Sequence, residues 1–217
     1  MAYPTVEATN TSFSTSNSTS HVVDLPSGIT SGELLLAIIS FDSSISGGVT
    51  APAGWTEIFL ETNGSAVVQS AFKKTATGSE GSTATFTTSS NSETFSAIVY
   101  RISGTDGLVT GSLNNPNGTA TSTSFPTANG GWGTSDTLAI TAFTVDDGAR
   151  YTSGTPTGYT DTIDTGTQSG GTTMSRTLSF RKNVTSGSEA PAGTITTTSA
   201  GTITSTFVIA REDRDWE

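Results

Sequence analysis

One histidine, nineteen carboxylate side chains, nine lysines and arginines and no cysteine make up the reactive inventory of this 217-residue chain. A nucleophilic triad needs a general base, usually histidine, held against the nucleophile. His21 stands between Ser20 and Val22 in a predicted strand, where a lone histidine is read as structural or merely exposed. Alone it cannot build a transition-metal site, which gathers several imidazoles or thiolates. The absence of cysteine removes thiolate catalysis and disulfides as well.

Carboxylates are the next possibility. Glycoside hydrolysis needs two of them about 5–9.5 Å apart across a cleft, in unlike environments. The matched pairs here are Asp42 with Asp146 and Glu80 with Glu189, each in similar local sequence. Duplicated residues give two similar environments, so these pairs read as turn and strand-end residues. Asp146-Asp147-Gly148 resembles a fragment of a calcium loop, but a D-x-D-x-D-G loop is missing. The reading is therefore of a protein that is not an enzyme, with no cofactor and no metal assigned.

What remains is contact chemistry. Trp55 and Tyr159 each follow a Pro-x-Gly turn and are expected to plug the end of a sandwich. Trp132, in NGGWGTS, has Gly28 as its matching position, which makes it a candidate exposed contact or else a buried loop anchor. Leu108 and Leu113 lie in the turn-rich stretch SGTDGLVTGSLNNPNGT, where a free linker would not need them. Trp216 sits in the charged segment REDRDWE and could serve as a docking anchor. These four are the predicted partner contacts.

The elements that must position them come from a repeat. Thr30 to Asp42 reads TSGELLLAIISFD and Thr134 to Asp146 reads TSDTLAITAFTVD. After gaps of equal length, PAGWT answers PTGYT. A repeat means each half is the same supersecondary unit. Charged residues are only 13% of the chain, against about 25% typically. Thr, Ser and Gly take their place, which favours many short strands and turns over helices.

Alternation and turn signals predict strands at Val6–Phe13, His21–Leu25, Glu33–Phe41, Trp55–Glu61, Ala66–Thr75, Ala84–Thr88 and Phe95–Ile102. In the second half they fall at Ser122–Phe125, Leu138–Val145, Tyr159–Ile163, Met174–Lys182, Thr194–Thr198 and Ile203–Ala210. The expected fold is an all-β antiparallel β-sandwich, jelly-roll or immunoglobulin-like, built from two pseudo-equivalent repeats. Residues 1–217 are expected to form one compact unit of repeats near 1–104 and 105–217, the alternative being two tandem sandwich domains with that boundary.

A net charge of −10 argues against nucleic acid, whose phosphates need clustered Lys and Arg. No apolar run approaches the roughly 20 residues that span a bilayer, and MAYPTVEATNTS has neither the basic flank nor the apolar stretch of a signal peptide. The expectation is a protein made in the cytoplasm that leaves by lysis if it works outside.

The series GELLLA at Gly32–Ala37, APAGWT at Ala51–Thr56, TATGSEG at Thr75–Gly81 and YRISG at Tyr100–Gly104 resembles a family of small β-rich proteins of tailed bacteriophages. Those carry G-D-L-L-L-A, P-P-A-G-W-T, V-A-T-G-S-E-G and Y-R-x-x-G in the same order. The series covers most of the first half, and the second half resembles it more weakly. The resemblance implies a virion or virion-associated protein and supplies no binding residues. The leading expectation is a capsid decoration or cement protein, whose partners are capsid or other virion proteins, with homo-oligomers compatible. The alternatives are a receptor-contacting module of a tail or head fibre that touches host surface glycan, and a bacterial adhesin or carbohydrate-binding module.

Overall fold

The computed structural model describes residues 2–42, 45, 47–89, 93–146, 151–165 and 175–212, with backbone only at 151–153 and 199. In the first half the strands are β1 (Thr5–Ser18), β2 (Ser20–Asp24), β3 (Leu34–Asp42), β4 (Val49–Thr50), β5 (Thr56–Asn63), β6 (Val67–Thr75), β7 (Thr83–Thr88) and β8 (Glu93–Ser103). In the second they are β9 (Val109–Asn114), β10 (Thr119–Ser124), β11 (Ala128–Asn129), β12 (Thr137–Val145), β13 (Tyr151–Ser153), β14 (Thr160–Thr165), β15 (Arg176–Val184), β16 (Ser188–Glu189) and β17 (Thr194–Ala210). All pairings are antiparallel. The all-β sandwich expected from the sequence is the fold observed.

Each half builds a large sheet and a small one. The large sheets run β1-β8-β3-β6-β5 and β9-β17-β12-β15-β14, and the small ones β2-β7-β4 and β10-β17-β13. Strand for strand the order is the same. Among the described residues the halves differ in two ways: the second also has the two-stranded β11–β16 sheet, and its large and small sheets are joined through one strand. β7 and β8 are separate strands, whereas β17 serves both sheets, pairing with β10 through Gly201 and with β12 from Thr202 onward.

The two large sheets lie face to face, so the chain has three cores. A β-strand sends alternate side chains to opposite faces. In β3, Ala37, Ile39 and Phe41 point into the first half's own core, with Phe72, Phe86 and Phe95. Leu34, Leu36 and Ile38 point the other way and meet Leu138, Ile140, Ala142 and Phe207 of the second half. The opposite face of β12 places Ala139, Phe143 and Val145 in the second half's core. This is why both strands read as continuous apolar runs: each is covered on two sides.

One end of the central interface is polar. Ser40 Oγ lies 2.7 Å from Ser96 Oγ, 3.0 Å from Ser175 Oγ and 2.8 Å from Thr177 Oγ1. Gln69 donates from Nε2 to Thr144 Oγ1 at 2.7 Å, and Thr144 is 3.1 Å from Thr177. These fully buried groups tie the sheets together by directional bonds, which fix how one sheet sits on the other more narrowly than apolar contact does.

Two expectations about elements need correction. Thr194–Thr198 and Ile203–Ala210 are one strand, β17, because Ala200 and Gly201 continue the ladder with β10. The turn-rich stretch after Ser103 contains β9, which pairs with β17 from Val109 opposite Ile209 to Asn114 opposite Thr204.

Candidate functional site

The residues singled out for chemistry are occupied with the scaffold. His21 is 1% exposed, with its ring edge-on to Phe41 and Phe95 at centroid distances of 4.9 and 5.1 Å. Burial lowers its pKa to about 4, so it is neutral at ordinary pH. A neutral imidazole among phenyl rings is a packing residue.

Of the four paired carboxylates, Glu80 holds a turn and Glu189 ties strands together. Glu80 pairs with Lys74 at 3.5 Å and accepts from the backbone N–H of Thr77 at 2.6 Å and of Gly78 at 3.0 Å. Burial pushes its pKa up, but these bonds outweigh that and bring it down to about 2. Glu189 pairs with Lys182 at 3.1 Å and accepts from the Tyr159 hydroxyl at 3.3 Å. Burial first, then the neighbouring Glu189 charge, pushes the Tyr159 phenol well above its usual range. Asp42 is buried at the end of β3, and the Asp146 amide donates to Gly201 O at 3.0 Å. Asp147 and Gly148 lie outside the described residues. Among the described residues no three or more His, Asp or Glu side chains converge as metal ligands.

The aromatics divide likewise. Trp55 packs on the first-half core, edge-on to Phe86 at 5.5 Å, and Tyr159 is buried in the second. Trp132 is half-buried and donates from Nε1 to Thr137 Oγ1 at 3.1 Å. It covers the backbone at Gly130 and Gly187, where any Cβ would collide with the indole. Gly130 N–H in turn donates to Gly187 O at 2.8 Å, so the tryptophan staples its own loop. Leu108, just before β9, is 53% exposed, and Leu113 is half-buried on β9 opposite Ser205. Trp216 lies outside the described residues. Leu113 thus lies on β9 at the edge of the large second-half sheet, and Trp132 on the loop it staples to Gly187.

The feature that sequence reading missed lies at the margins of the central interface. At one margin β5 meets β9 and β17, and the seam is filled. Phe59 stacks on Phe207 at 5.5 Å, and Gly111 leaves the room: a Cβ there would come within 3.1 Å of Phe59 and 3.2 Å of Ile58 and Phe207. Asn63 donates from Nδ2 to Gly118 O and Thr202 O at 3.0 and 3.1 Å and accepts from Gly118 N–H at 2.7 Å. Asn115 donates to Glu61 Oε1 at 2.7 Å and Thr62 O at 3.0 Å.

At the other margin β1 meets β14, and the seam is open. Two adjoining clefts of about 330 and 260 Å³ share Val6, Asp161 and Arg181. One wall is β1 from Thr5 to Thr9, interrupted by a bulge between Val6 and Ala8. The other is β14 from Thr160 to Ile163, bulged over the same residues. Arg181 donates from Nε to Asp161 Oδ2 at 2.6 Å. That bond and the guanidinium charge hold the Asp161 carboxyl below its ordinary range. Asp161 has φ of 54°, a left-handed conformation uncommon outside glycine. Further along, Thr165 Oγ1 donates to Ser12 O at 3.3 Å and closes the groove. Nothing in the sequence pattern announces this groove, although Arg181 belongs to a small set: nine basic residues in the whole chain.

A scan against protein-family models finds no match, and neither curated proteins nor solved structures give one.

Proposed function

We propose that this chain is a structural component of a bacteriophage particle, a capsid decoration protein acting through protein–protein contacts. What supports the reading is how the phage-like series is spent. Gly32–Ala37 feeds two cores at once through Leu34, Leu36 and Ala37. Trp55 of the APAGWT stretch packs against Phe86, and Glu80 of TATGSEG is tied to Lys74. A motif series devoted to packing and turns suits a protein whose job is to hold a shape and present edges. We infer further that the halves are copies that act as one unit. The common strand order and the shared central core support that view.

The test is quantitative mass spectrometry of purified particles of the phage that encodes the chain. A decoration protein appears at a copy number that tracks the major capsid protein, and its deletion lowers the temperature at which particles release DNA while adsorption persists. Particles that contain none of the chain overturn the reading.

A further inference from the structure

We propose that the open seam between β1 and β14 receives an extended polypeptide segment of the particle's shell, which adds to the free edge of β1. The proposal rests on the decoration reading above and names the surface that would do the work.

Four observations converge. First, β1 and β14 are terminal strands of their sheets, so each presents main-chain groups that no ladder uses. An edge strand is usually guarded by Pro, by Lys, by being short or by a bulge, and of these β1 carries bulges alone, at Val6/Ala8 and between Ser14 and Ser18. β1 runs for 14 residues with no Pro, Lys or Arg, and Glu7 is its one charged residue. Second, the groove is roomy there, at about 330 Å³ beside Val6 to Thr9. Strand addition draws its affinity from main-chain bonds and its selectivity from side-chain pockets along the edge.

Third, the strand register puts an apolar anchor on the same side. Thr9, Thr11 and Phe13 stand opposite Tyr100, Ile98 and Ser96 of β8. Tyr100 and Ile98 face the second half, so Phe13 faces that way too. Phe13 is nevertheless 49% exposed, one of three large hydrophobic side chains so exposed among the described residues. Fourth, the polarity is directional. Arg181 uses Nε for Asp161 and Lys182 at the same end is paired with Glu189, so the Arg181 Nη groups are the donors this end offers. A carboxylate or carbonyl oxygen of the added segment fits there, and an apolar side chain fits on Phe13, past the Thr165–Ser12 bond. An oligosaccharide is the weaker match: Tyr100, the aromatic ring among the cleft-lining residues, is fully buried, and the exposed Phe13 lies beyond the Thr165–Ser12 bond that closes the groove, so the cleft itself offers a sugar no ring to stack on.

The experiment adds purified full-length protein back to particles that lack it and measures bound copies by sedimentation. Four proteins are compared: wild type, Thr162→Trp, which fills the groove from an exposed position on the β14 bulge, Thr9→Lys, which guards the β1 edge, and Val22→Lys, an exposed change in the small first-half sheet. All four are first shown to unfold at the same temperature within a few degrees. Wild type and Val22→Lys are expected to bind alike, and the two seam variants to bind at least ten-fold more weakly. Hydrogen exchange on bound wild type should show slowed amides in residues 5–9. If wild type binds and the seam variants bind equally well, the seam proposal alone falls. If wild type does not bind, the decoration reading falls and takes this proposal with it. Slowed exchange elsewhere but not in residues 5–9 also overturns it.

Discussion

The β5–β9 seam and the β1–β14 seam border the same interface between sheets of the same strand order, yet one is sealed and the other is open. The bulge is not the cause, because β5 also carries one, between Glu57 and Phe59. What differs is the filling. Phe59 on β5 stands at the place in strand order and pairing that Ile163 takes on β14. At the sealed margin the phenyl ring finds Phe207 across the gap and a glycine, Gly111, beneath it. At the open margin a smaller side chain leaves space, and an exposed Asp161–Arg181 pair lines it. A sheet interface can thus keep one margin for cohesion and leave the other for contact. The lesson is local: side-chain volume decides which.

The largest effect expected is on the sealed seam. Phe207→Ala removes a fully buried ring that stacks on Phe59, and truncation of buried Phe costs about 3–5 kcal/mol. Ile163→Ala, at the open margin and only partly buried, should cost about 1 kcal/mol. Urea denaturation of both variants measures the gap, and equal losses would mean that the margins do not differ in packing.

Next comes pH, which tests whether acid weakens a seam or an outer core. His21 has its folded pKa lowered to about 4, against 6.5 unperturbed. The unfolded chain therefore binds the proton first, and stability is full above about pH 6.5 and falls as pH drops toward 4. The loss is at most about 3.5 kcal/mol, from roughly 1.4 kcal/mol per pKa unit. Glu80, with its pKa brought down to about 2 from 4.5, adds a second loss below about pH 4.5. Thermal unfolding of His21→Phe between pH 7 and 4 should lack the first loss. If it keeps that loss, the acid-sensitive group lies elsewhere, and the seams become candidates.

How much of this could be read from residues alone follows from the period of the signal. β3 and β12 were legible because largely apolar nine-residue stretches between turn signals have few other solutions. That the second apolar face of each meets the other half was not legible, since alternation tells a strand it has two faces without naming their covers. β9 was hidden because VTGSLN carries glycine and polar residues, and its partner β17 supplies the order. Trp55 and Tyr159 pack against the cores as their turns suggested, and of the two readings of His21, structural or merely exposed, burial decides for the first. The open seam left no trace, because it is made of ordinary Thr, Val and Asp residues brought together by two bulges. A left-handed Asp161 cannot be told from an extended one by sequence.

Hydrogen bonds offer a middle-sized test of the same contrast. Asn63 is 1% exposed and makes three bonds across the sealed seam. Asn63→Ala leaves Gly118 N–H, Gly118 O and Thr202 O without this partner, a loss of about 1–3 kcal/mol. Arg181→Ala removes an ion pair whose carboxylate side chain is 52% exposed. Solvent screening leaves such exposed pairs little net effect on stability. Denaturation of the two variants should therefore rank Asn63→Ala as the weaker fold, while shell binding, if the seam is the contact, should rank Arg181→Ala as the weaker binder.

The smallest effect is the most telling about the open margin. Asp161→Gly takes away the partner of Arg181 and with it a bond worth little at this exposure. It also replaces a residue at φ of 54° by the one that adopts this conformation without steric cost. The two contributions oppose each other, so the urea midpoint should stay close to that of wild type. If Asp161 served only the fold, nothing else would change. If it serves the groove, by setting where the Arg181 guanidinium points, the variant should unfold like wild type and still lose shell binding. A near-silent change in stability with a loss of contact is what separates a residue kept for an interface from one kept for the scaffold.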